Sequence, residues 1–97
     1  MRKITPTPLP APRVLEPKTI GAAVRASRTR MGMRQIDAAS LCRVALQTYV
    51  DIEKGSAGTS IGLVLQVADE MGVQIFAFAC ESRERMQKIA RSEGWSV

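Results

Sequence analysis

The stretch Arg34–Gly55, RQIDAASLCRVALQTYVDIEKG, reads as two short amphipathic helices separated by very little chain. The break falls near Arg43 and Val44, where no strong turn residue stands. The first helix runs from Arg34 to Cys42, and Ala38, Ala39, Leu41 and Cys42 can supply its buried side. Small alanines let a neighbouring helix approach closely, as a tight crossing of two helices demands. The second runs from Ala45 to Lys54 and stops at Gly55. Tyr49 and Ile52 are three apart and point inward with Val44. Leu46, Gln47, Val50 and Asp51 are left outside, and an idle solvated face would not choose Leu46 beside Gln47.

Working outward, TIGAAVRASRTRMG precedes this pair. Thr19 suits an N-cap and Gly32 a C-terminal stop. Ile20, Val24, Ser27 and Met31 fall on one helical face, with Arg25, Arg28 and Arg30 off it. Residues 1–18 hold Pro6, Pro8, Pro10, Pro12 and Pro17, which forbid helix and a central strand. They read as an extended, mobile arm, either a solvated leader or a segment that touches DNA or a partner through Arg2, Lys3 and Arg13.

After the loop GSAGTS, Ser60 caps a helix with the stripe Ile61, Val64, Leu65, Ala68 and Met71, closed by Gly72. VQIFAFAC then changes period. Its β-branched and aromatic residues over 73–80 read as a buried strand, with a fifth helix as the alternative. An unpaired strand edge needs a partner, and the same strand of a second copy is the economical one. Val73, Ile75, Phe76 and Phe78 are its candidate contacts. Residues 81–97 form a charged helix or tail with Met86, Ile89 and Ala90 as a thin apolar stripe, Gly94 as its stop and Trp95 as an apolar anchor.

The bulk numbers narrow the function. With 97 residues the chain holds one domain. Its net charge of +5 is unevenly placed: residues 1–44 carry +7 and the remainder −2. The basic half suits a polyanion. The four aromatic residues favour aliphatic helix packing. With no His, no carboxylate pair at useful spacing and no glycine-rich phosphate loop, an enzyme is the weakest class. Cys42 and Cys80 offer no zinc site, and no metal or cofactor is expected. No stretch has signal-peptide or membrane-spanning character, so a cytoplasmic location is expected, with no membrane and no small-molecule substrate.

Ile20 to Gly55 resembles the Cro/lambda-repressor-type helix-turn-helix family, often called XRE-like. The likeness rests on the Ile20-Gly21 opening, Arg25 and Arg28 in the first helix, Gly32, Gln35 early in the second, Ala39 at the tight contact, and Glu53 and Gly55 closing the third. TSIGLVLQVADEMGVQI is similar to the HipB-like branch, whose members are antitoxins that repress their own operons. The resemblance implies an all-α, compact four- to five-helix lambda-repressor-like domain over residues 19–72, with a short dimerisation strand over 73–80. It departs from the family where Arg34 and Ala45 replace the usual Thr or Ser caps and Arg43 replaces the turn Gly.

On that resemblance, the helix beginning near Ala45 enters a DNA major groove and the one before it lies across the backbone. Ala45, Leu46, Gln47, Thr48 and Asp51 are the expected base contacts, with Gln47 suited to adenine and Asp51 expected to orient a nearby Arg. Arg28, Arg30, Arg34, Gln35, Arg43 and Lys54 are the expected phosphate contacts. The implied function is a sequence-specific repressor binding palindromic double-stranded operator DNA as a homodimer, the antitoxin of a HipBA-like operon with a kinase-like toxin as partner. A stand-alone host or phage XRE-type regulator without a toxin is the alternative. An interaction module with a decayed DNA helix is a third reading, to which Ala45 and Leu46 give some weight.

Overall fold

A computed structural model describes residues 3–8, 15–77 and 82–94. Five helices follow in order: α1 Pro17–Arg30, α2 Gln35–Cys42, α3 Leu46–Lys54, α4 Ile61–Glu70 and α5 Arg83–Glu93. Helix α1 starts two residues before the expected Thr19. Glu16 takes the N-cap and Pro17 opens the helix, where a missing N–H costs nothing. Ser60 and Ser82 cap α4 and α5 with their hydroxyls, accepting from the backbone N–H of Leu63 and Arg85.

One apolar cluster organises α1 to α4. It joins Ile20 and Val24 of α1, Ala38, Ala39 and Cys42 of α2, Tyr49 and Ile52 of α3, and Val67, Ala68 and Met71 around α4. Helix α3 packs on α1 and α2, and α4 packs on the same two helices less extensively. The α1–α3 approach is close because Gly21 has no side chain. A Cβ there would stand 2.5 Å from the carbonyl oxygens of Ile52 and Glu53. Polar ties reinforce the packing: the Ser27 hydroxyl donates to the Met71 carbonyl, and Gln66 Nε2 donates to the Cys42 carbonyl at 3.1 Å.

Several faces turn differently from the pattern. Leu41 is exposed, not buried. On α4 the buried stripe is Val67, Ala68 and Met71, while Ile61 and Leu65 face outward at 64% and 44% exposure. An almost uniformly apolar helix offers no polar face to set its rotation, so the spacing of Ile61 and Leu65 misleads. Met31 is half-exposed as the cap residue of α1, and Arg28, expected off the buried stripe, is buried.

Among the described residues the expected strand is not formed within the chain. Residues 73–77 have no regular structure, and Phe78 and Cys80 lie outside the described residues, as does Trp95. A strand requires an edge to pair with, and the four core helices present none. Val73 and Ile75 instead fold back against the apolar cluster, leaving Phe76 81% exposed. Helix α5 contributes no residue to this cluster, and Ala90 is its fully buried residue.

Candidate nucleic-acid interface

The turn between α2 and α3 is made by a residue with a side chain. Arg43 sits in the left-handed region at φ 59°, ψ 41°. The Val44 N–H bonds the Ala39 carbonyl at 3.1 Å and the Arg43 N–H bonds the Ser40 carbonyl at 3.2 Å, the paired closure of a Schellman motif. Among the described non-glycine residues, Arg43 alone has positive φ. The turn thus holds the geometry a glycine would supply while projecting a guanidinium into solvent.

Beyond the turn, Ala45 caps α3 without a side-chain bond, as Arg34 does for α2. Helix α3 then shows two faces. Tyr49 and Ile52 are buried behind, and Ala45, Leu46, Gln47 and Lys54 are exposed in front. Thr48 and Asp51 are half-buried at the margin. Gln47 Nε2 donates to Asp51 Oδ1 at 2.9 Å across one helical turn. Asp51 therefore orients Gln47, where an arginine was the expected partner. The bond uses one amide hydrogen and leaves the second hydrogen and Oε1 free. Those two groups form the donor–acceptor pair that adenine N7 and N6 require.

The expected phosphate residues divide into two groups. Arg30, Arg34, Arg43 and Lys54 are exposed. Arg34 pairs with Asp37 at 3.1 Å, and this bond raises the guanidinium pKa and lowers that of the carboxyl. Arg28 is a correction. It is 8% exposed, and its guanidinium donates to Glu53 Oε2 at 2.7 Å, to Glu53 Oε1 at 3.2 Å and to the Met33 carbonyl at 2.8 Å. It serves as an internal brace, and the bond to Glu53 raises its pKa against the opposing effect of burial. Gln35 Nε2 also donates to Glu53 Oε1, at 3.2 Å. One carboxylate thus ties together α1, the start of α2 and the end of α3. In the sequence Glu53 stands out only through its place at the end of the third helix. An acid 25 positions after an internal arginine gives no local signal of pairing.

Tyr49 lies behind the exposed face of α3, fully buried, with its hydroxyl in no hydrogen bond among the described residues. Burial, and then the neighbouring Glu53 carboxylate, pushes the phenol far above its ordinary pKa. Burial likewise raises the Cys42 thiol. Among the described residues no group of His, Cys, Asp or Glu is arranged to hold a metal. No described helix is long and apolar enough to cross a membrane.

Two short helices joined by a tight turn, the second offering a polar outer face and braced from behind, define a helix-turn-helix module. The HTH_3 helix-turn-helix family model matches residues 24–78. A curated relative, the uncharacterised HTH-type transcriptional regulator y4mF of Sinorhizobium fredii (strain NBRC 101917 / NGR234), is 37% identical over 75 residues. The match spans 77% of this chain and 99% of the relative. Among solved structures, a complex of a serine-to-alanine variant of HipB with an O2 20mer shares the fold. Its TM-score is 0.59 at 13% identity, over 70% of this chain and 94% of that one. The chain belongs to the XRE-type helix-turn-helix family, whose members are DNA-binding transcriptional regulators and not enzymes.

Proposed function

We propose that this protein is an operator-binding repressor that acts as a homodimer on palindromic DNA and serves as the antitoxin of a HipBA-like operon. The observation that carries the DNA reading is the outer face of α3, where Gln47 is held by Asp51 with a free donor–acceptor pair pointing outward. Helix α3 enters the major groove, while Arg34 and Arg43, at the two ends of α2, meet the flanking phosphates. Ala45, Leu46 and Thr48 line the entry to the groove, Leu46 against a thymine methyl. Arg30 and Lys54 complete the backbone contacts, with Gln35 offering its second amide hydrogen.

The dimer reading rests on the apolar surface left outside the core. Ile61 and Leu65 are one turn apart on α4, and Leu65 shares a surface cavity of about 330 Å³ with Asp69, Val73, Gln74, Ile75 and Phe76. A second copy would cover this surface and place two recognition helices about one DNA turn apart. The fold shared with the HipB–O2 complex supports the antitoxin reading. The Sinorhizobium relative, named simply as a transcriptional regulator, favours a second reading, a stand-alone regulator with no toxin partner.

The direct test is fluorescence anisotropy with duplex from upstream of the gene and an unrelated duplex of equal length. Gln47→Ala is expected to lower the preference for the upstream duplex by about tenfold or more, leaving weak binding to the unrelated one intact. An equal loss on both sequences would remove Gln47 from base recognition. Co-purification of the adjacent gene product with the tagged protein separates the antitoxin from the stand-alone regulator.

A further inference from the structure

Two cations that the α3 face does not account for, Lys18 and Arg25, gather with Lys54 around one hollow. A cavity of about 330 Å³ is lined by Thr7, Pro8, Lys18, Ala22, Arg25, Glu53 and Lys54. Lys18, Arg25 and Lys54 come from the start of α1, its middle and the end of α3. All three are exposed, and none makes a salt bridge or side-chain hydrogen bond among the described residues. Glu53, the acidic lining residue, has its carboxylate oxygens taken up by Arg28 and Gln35. The hollow is therefore strongly electropositive.

The N-terminal arm supplies one of its walls. Thr7 donates its backbone N–H to Thr29 Oγ1 at 2.9 Å, and the two hydroxyl oxygens are 3.1 Å apart. Thr29 gives its own hydrogen to the Ala26 carbonyl at 3.2 Å, so the Thr7 hydroxyl is the donor between the two. This pins residues 7 and 8 across the face of α1 that carries Ala22 and Arg25.

The position of the hollow points to its ligand. Gln47, Asp51 and Lys54 follow one another at helical spacing on α3, so the hollow begins where the base-reading stripe ends. Seven residues of helix span roughly 10 Å, comparable to the width of the major groove. A helix with Gln47 at the base edges thereby brings Lys54 and its neighbours to the bordering sugar–phosphate strand.

We infer that the hollow beneath the N-terminal arm is a seat for DNA backbone phosphate, built by Lys18 and Arg25 of α1 together with Lys54 and walled by Thr7. This rests on the DNA-binding reading above and adds two contacts, Lys18 and Arg25, on the first helix. The seat carries affinity without sequence preference.

The experiment compares wild type, Lys18→Ala/Arg25→Ala and Lys18→Arg/Arg25→Lys by anisotropy across a salt series, on the upstream and unrelated duplexes. The alanine pair is expected to weaken both duplexes by the same factor and to reduce the log–log salt slope by nearly two, about 0.9 for each lost contact. The charge-keeping pair is expected to retain the wild-type slope. An unchanged slope in the alanine pair, with salt-dependent binding by the wild type, overturns the seat and leaves the DNA reading standing. Absence of salt-dependent binding by the wild type overturns both. An unchanged slope accompanied by a rise in the wild-type melting temperature with inorganic phosphate, lost in the alanine pair, assigns the hollow to a free phosphate and overturns the backbone assignment.

Discussion

Arg43 sits between two demands. Its left-handed backbone costs about 1–2 kcal/mol relative to glycine, which carries no Cβ to clash. Its exposed guanidinium is available to phosphate. Arg43→Gly is therefore expected to raise stability by about 1 kcal/mol in a thermal melt while lowering affinity for every duplex and cutting the salt slope by about 0.9. Stability and binding moving in the same direction would show that the residue does not serve both ends. Tyr49 makes a different prediction at the same scale. Its folded pKa lies above its unfolded value near 10, so above pH 10 the unfolded chain binds fewer protons and stability falls as pH rises. Below that pH the contribution is fully present. The Cys42 thiol acts in the same direction from its ordinary value near 9. Tyr49→Phe is expected to retain the neutral-pH melting temperature, since the hydroxyl has no partner to lose, and to flatten the alkaline fall. A neutral-pH loss of more than about 1 kcal/mol would reveal a hydrogen bond at that hydroxyl.

Between elements, the contact of α1 with α3 depends on the absence of a side chain at Gly21. Gly21→Ala would press a methyl against the Ile52 and Glu53 carbonyls, and is expected to cost about 1–3 kcal/mol in chemical denaturation. An unaffected midpoint would mean the two helices part easily. This scale also shows what the chain discloses in one dimension. The rotation of α3 was legible because Tyr49 and Ile52 stand opposite the polar Gln47, whereas α2 misled at Leu41, an apolar residue that is exposed. Helix α4 hid its orientation because Ile61, Leu63, Val64, Leu65 and Val67 suit either side. The Arg28–Glu53 pair was illegible, since the burial of a charge depends on what another helix brings to it. Asp51 was legible as an orienting residue but not in its partner, although Gln47 stands one helical turn before it, at a spacing where no arginine occurs.

For the whole molecule, the unpaired segment 73–77 and the outward apolar side chains of α4 are the features a single copy leaves unfinished. Phe76→Asp is expected to yield monomers by light scattering and to weaken operator binding, while the thermal transition of the domain changes little because Phe76 is outside the core. Persistent dimers would move the interface elsewhere, to α5 or the arm. The strand pattern of 73–80 was read from composition, and composition carries no information about whether a chain supplies its own edge partner.

The three-way junction at Glu53 carries a thermodynamic consequence. With Arg28, Gln35 and Glu53 interlocked, the reading helix and the helix that seats it are already set at a fixed mutual tilt before any duplex arrives. Docking then demands little internal ordering, and the heat-capacity change on association should track the apolar surface covered at the groove, without the larger signature of a domain that folds as it binds.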